Sequence, residues 1–210
     1  MKLEDYYEER GLDRIIGLSD GVFAFSLTLL ALDLVVPDFQ SGDAAFLSQN
    51  LLGEMPRFIY FFMTFFITAA YWASHHRIFR FIRKYDDTLI RMNMFLLVCI
   101  ILMPFVTKLI SEHGSVQIAV IIAAMGYAAP GFFLGMIWHY ASRGYLLIDE
   151  KIPVDFAKLT TIKNYAIPSI FLISIPFSFI KPEYALYFWL ILIPMKFLIE
   201  YRFRSFMEND

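Results

Sequence analysis

Six residues able to do polar chemistry are set into one apolar run, RIIGLSDGVFAFSLTLLALDLVV, from Arg14 to Val36: Arg14, Ser19, Asp20, Ser26, Thr28 and Asp33. The run is long enough to cross a bilayer, since ~20 apolar residues in a helix span the ~30 Å hydrocarbon core. Charges at the edge of that core are costly unless they face protein or water. A helix carrying Arg14, Asp20 and Asp33 therefore does not face lipid all round. Three kinds of chemistry are open to it. Apolar side chains brought together could strip water from an ion, a Thr hydroxyl could offer a weak oxygen ligand, and a carboxylate could collect cations or relay protons.

At about 100° per helical residue, Phe25, Thr28, Leu29 and Leu32 share one arc about 100° wide, while Ser19 and Ser26 lie together on another face. The first set is an apolar stripe with a single hydroxyl in it. Small residues (Gly21, Ala24, Ala31) recur along the run, and small residues allow membrane helices to approach closely. The same pattern also fits a plain packing helix whose Ser and Thr bond back to their own backbone. Asp33 has two readings, a cation-collecting mouth or a side chain reaching the headgroups.

Other chemistry is disfavoured. The four histidines, His75, His76, His113 and His139, fit no HExxH or CxxC spacing, and adjacent histidines on a helix point about 100° apart. No metal and no cofactor is expected. Asp20 and Asp33 would stand roughly 20 Å apart along a helix, so they form no carboxylate pair. There is no nucleophile elbow and no nucleotide-binding glycine loop, and an enzyme is not expected. The net charge of −2 argues against nucleic acid. The lone Cys99 has no internal disulfide partner.

The elements that must position these residues follow from hydropathy. Hydrophobic residues make up 59% of the 210, above the ~45–50% usual in soluble domains. We expect a single all-α polytopic domain, 1–210, with six transmembrane helices at about 14–36, 51–76, 88–110, 116–140, 162–180 and 184–201. Residues 1–13 read as a soluble amphipathic lead-in, with no cleavable signal peptide evident. Gly131 and Gly135 have GxxxG spacing and suggest a close helix contact, Pro130 is placed to kink the fourth span, and Pro168 and Pro176 interrupt the fifth. Placing both termini and the 2–3 and 4–5 loops on the cytoplasmic side leaves only Arg57, Lys108 and Lys181 for the other. Trp72, His75 and His76 then fall at the depth of Ser19 and Asp20, with Asn93 nearby.

Arg14-x-x-x-Leu18-Ser19-Asp20, followed by Gly21-Val22-Phe23-Ala24, resembles the RxxxFSD signature that opens the first helix of the transmembrane protein 175 family of potassium channels. Trp72-Ala73-Ser74-His75-His76-Arg77-Ile78-Phe79 is similar to the end of that family's second helix, and Asn93 with Pro104-Phe105-Val106-Thr107 to its third. Leu18 stands where Phe is usual, and Phe25 where Ile or Leu is usual. The resemblance implies a prokaryotic single-repeat member: a homotetramer in the cell membrane, with both termini cytoplasmic. Its first helices would line a central pore passing potassium, selectively or weakly so, among monovalent cations. It further implies an apolar constriction at Phe25, Leu29 and Leu32, a selectivity hydroxyl at Thr28, and a structural network of Arg14, Ser19, Asp20, Trp72, His75, His76 and Asn93 that locks the helix.

Two alternatives remain from the residues alone. One is a proton- or ion-coupled secondary transporter using Asp20 with His75 or His76 as a relay. The other is a non-transporting membrane scaffold.

Overall fold

The computed structural model describes residues 3–34 and 51–189, with side chains from Gly11 onward in the first segment. Among these residues every extended element is helical. The helices are α1 (Leu3–Leu30), α2 (Met55–Phe79), α3 (Asp87–Ile101), α4 (Met103–His113), α5 (Gln117–Ser142), α6 (Val154–Ser178) and α7 (Pro182–Trp189). A short 3-10 turn, Ala31–Asp33, ends the first.

Three expectations about boundaries change. The lead-in is not a separate piece: α1 is continuous from Leu3 through the first span. It crosses the loop before α3 so closely that a Cβ on Gly11 would strike the Tyr85 ring. The third span is two helices, because Pro104 has no N–H for the Ile100 carbonyl, and the ladder stops at Leu102. Pro104 is tolerated in the first turn of α4, where an N–H has no intrahelical partner. The helix that carries the expected fifth span, α6, already begins at Val154 and runs through Pro168 and Pro176 without a break. The end of the first expected span, and the sixth beyond Trp189, lie outside the described residues.

α5 is the centre of the bundle. Its glycines read as contact points are contact points: a Cβ on Gly131 would lie 2.6 Å from the Pro168 ring, and one on Gly135 2.5 Å from the Tyr165 ring, both on α6. Gly126 meets Val106 of α4 in the same way, at 2.6 Å. Tyr127, Leu134 and Trp138 of α5 are fully buried, packed with Phe171 of α6. α1 lies across the outside of this core, against α2 and α3.

Three segments, Gly11–Asp33, Asp87–His113 and Gln117–Tyr145, are long and apolar enough to cross a membrane. α2 and α6, with 25 residues each, are about 37 Å long at 1.5 Å per residue. The loops after α2 and α5 meet at one end of the bundle. There the Arg83 N–H donates to the Leu147 carbonyl at 2.8 Å and Ile82 bridges Ile148. Asp86 caps α3 by accepting from the Leu89 N–H at 2.8 Å, and its second oxygen takes the Tyr140 hydroxyl of α5.

Candidate functional site

α1 is held on one side and open on the other. Buried Leu12, Ile15, Ser19, Phe23, Ser26 and Leu30 lie on the side packed against α2, α3 and α4. Ser19 is the first fastening. Its hydroxyl donates to its own Ile15 carbonyl at 2.8 Å and accepts from Asn93 Nδ2 of α3 at 3.0 Å. Asn93 Oδ1 in turn accepts from His75 Nε2 of α2 at 3.0 Å. All three side chains are buried, and the His75 imidazole is clamped by a stacked Phe79 ring (centroids 4.1 Å apart) and a tilted Phe23 ring of α1. Since the amide oxygen only accepts, His75 carries its proton on Nε2. Its Nδ1 has no hydrogen-bond partner among the described residues.

The second fastening is nearer the surface. Trp72 Nε1 donates to Asp20 at 2.8 Å, and His76 stacks on the Trp72 indole at 5.7 Å. Asp20 thus bonds the indole rather than either histidine. The expected single network is therefore two sets, Ser19–Asn93–His75 inside and Asp20–Trp72–His76 at the rim. Arg14 joins neither: it is exposed, because its position, about 120° around the helix from Asp20, puts it on the outward arc.

That outward arc holds most of the expected stripe. Phe25 is 60% and Leu32 76% exposed, and Thr28 is exposed beside them. The Thr28 hydroxyl donates to the Phe25 carbonyl at 2.7 Å. Its single proton is spent on the helix, so the oxygen presents lone pairs outward. Leu29 is half-buried, being closest around the helix to the Ser26 side. Asp33 at the far end lies 4.0 Å from Lys108 Nζ of α4. Arg57 pairs with Glu54 at 2.9 Å at the start of α2, and with Glu112 of α4 at 3.8 Å.

One cluster escaped the sequence reading. Thr64 of α2 lies 2.8 Å from the Tyr127 hydroxyl of α5 and 2.8 Å from Thr107 of α4, all three buried. Thr107 belongs to the quoted third-helix segment. The signal was its position among apolar residues, where a hydroxyl needs a partner.

The fold and this helix define an all-helical, multi-pass membrane protein whose first helix is anchored by polar bonds. A sequence model of the family described as endosomal/lysosomal potassium channel TMEM175 matches residues 14–104. A potassium channel of Chamaesiphon minutus is 29% identical over 178 residues, 83% of this chain and 87% of its own. A potassium channel of Streptomyces collinus is 28% identical over 155 residues, 71% and 74% of the two chains. The crystal structure of a lysosomal potassium-selective channel TMEM175 homolog from Chamaesiphon minutus matches with a TM-score of 0.76 at 25% identity, covering 92% of this chain and 98% of that one. The chain is thus similar to TMEM175 channels, in its first half by the family model and over most of its length by these relatives.

Proposed function

We propose that this chain is a subunit of a potassium channel whose path runs along the outward arc of α1. Four copies, each with six spans, surround the path in the cell membrane with termini cytoplasmic. Phe25, Leu29 and Leu32 form the apolar constriction, Thr28 supplies the ring of hydroxyl oxygens, and Asp33 stands at the outer mouth. Similarity to potassium channels across most of the chain supports the activity.

The observation that carries the placement is a contrast between two exposed helix faces. The outward stripe of α2, Ile59, Phe62 and Phe66, is bulky and wholly apolar, as a lipid contact should be. The outward arc of α1 instead mixes Phe25 and Leu32 with exposed Arg14, Gly17, Gly21, Ala24, Thr28 and Ala31. Small residues admit a second helix closely, and the charge and hydroxyl call for water or protein. That composition suits contact with other copies around water better than contact with lipid.

An apolar ring resists ions by losing water, and widening it restores conduction. A Thr28 oxygen whose proton is already bonded to the helix can only accept, which suits a cation. The test is ion flux through purified protein in liposomes. Phe25→Ala raises basal potassium flux, and Thr28→Val lowers the potassium-to-sodium ratio. A Phe25→Ala variant with unchanged flux, beside a residue on another helix that controls it, refutes the placement. A mass measurement of the detergent-solubilised assembly checks the count of four.

A further inference from the structure

Serines in membrane helices ordinarily bond to their own backbone. Ser19 does so with Ile15, and Thr28 with Phe25. Ser26 does not. Its buried hydroxyl crosses to α3 and donates to the Ile100 carbonyl at 2.7 Å. That carbonyl lacks its regular helical donor for a specific reason: the i+4 N–H belongs to position 104, and Pro104 has none, which leaves it only the capping Leu102 N–H, shared with Val98. The bond is the second of two rungs between the same helices. Ser19 meets Asn93 and Ser26 meets Ile100, and on each helix the two positions are about two turns apart. The upper rung is adjacent in sequence to Phe25.

We infer that Ser26 is a positioning residue for the permeation path: its hydroxyl takes the carbonyl that Pro104 leaves without an i+4 donor and fixes the rotation of α1 at the level of Phe25 and Thr28. The inference rests on the proposed path along α1. Rotating α1 to bring Ser26 toward the path breaks the rung and turns Phe25 and Thr28 away. The rung therefore sets the angle at which ions meet the Thr28 oxygen.

Four variants test it in liposomes, each first passed through size exclusion: Ser26→Ala, Ser26→Thr, the double variant Ser26→Ala with Pro104→Ala, and Phe25→Ala as the independent check on the path. Ser26→Ala lowers the potassium-to-sodium flux ratio by about fivefold to tenfold, the size of effect that one lost buried hydrogen bond can have. Ser26→Thr retains a hydroxyl and keeps the ratio. In the double variant, Pro104→Ala restores an N–H within the helix for the Ile100 carbonyl, so thermal stability recovers while the ratio stays low, because the rung is still missing. Recovery of the ratio together with stability assigns Ser26 to folding alone and overturns the inference. A wild-type ratio in Ser26→Ala, beside a Phe25→Ala variant that raises flux, overturns the positioning role and leaves the path standing. No change in either variant overturns both.

Discussion

Replacing Asn93 with Ala tests whether the inner polar set holds α1. Asn93 is fully buried and makes two interhelical bonds, accepting from His75 and donating to Ser19. Hydrogen bonds between membrane helices average about 0.6 kcal/mol and reach about 1.7, and orphaning a buried polar group adds about 1–3 kcal/mol. The two ends are not equal. Ser19 keeps its bond to Ile15, whereas His75, whose Nδ1 already lacks a partner, would have neither ring nitrogen bonded. The expected loss is about 2–4 kcal/mol, most of it at His75. It is read as a drop in the thermal midpoint of the size-exclusion peak in detergent. Asn164 provides the comparison: it is also buried, but its Nδ2 has no partner among the described residues, so Asn164→Ala costs less. If Asn93→Ala loses no more than Asn164→Ala, the inner set is not what fastens α1, and the account of its one-sided anchoring is wrong.

At the glycines of α5, Gly131→Ala costs about 1–3 kcal/mol, because the new Cβ meets the Pro168 ring and Tyr71, neither able to move aside. Gly135→Ala costs less, since the half-buried Tyr165 ring can turn away, and Gly53→Ala, with nothing within 4 Å, is neutral; peak height after heating ranks the three. Burial pushes the Asp86 carboxyl up, but the Tyr140 hydroxyl, the Leu89 and Thr88 N–H groups and the Arg91 charge outweigh it and hold the pKa below its ordinary value. A depressed folded-state pKa contributes stability above the unfolded value of about 3.9 and loses it as pH falls further. The thermal midpoint of the wild type should therefore fall more steeply below about pH 4 than that of Asp86→Asn, which keeps a capping oxygen; parallel curves would refute the assignment.

Much of the helix inventory was legible because long apolar runs leave few alternatives in a membrane. Gly131 and Gly135 were legible as contacts, since close approach admits little else. The depth shared by Ser19, Asp20, Trp72, His75 and Asn93 followed from charge bias in the loops. What periodicity could not supply was pairing. It put Ser19 and Ser26 on one face but gave no means of knowing that Asn93 and a backbone carbonyl lay opposite. Pro104 announces that Ile100 has lost its donor, yet only the fold shows which hydroxyl replaces it. Arg14 was grouped with Asp20 by motif, although six residues along a helix carry it to the outward arc.

The pairing matters because apolar contact alone would not hold α1 at one angle. Between helices in lipid there is no hydrophobic drive, since an acyl chain is as apolar as a leucine. A helix fastened only by Ile15, Phe23 and Leu30 could turn by a fraction of a residue at little cost. Each polar rung changes that, because turning it away leaves a buried donor or acceptor unpaired. Ser19 and Ser26 place two such rungs along the inner side of α1, and Asp20 with Trp72 adds a weaker, water-exposed bond toward α2. All three lie off the arc that bears Phe25, Thr28 and Leu32. The division lets the outward residues, Phe25 among them, vary in size without loosening the angle at which they are presented.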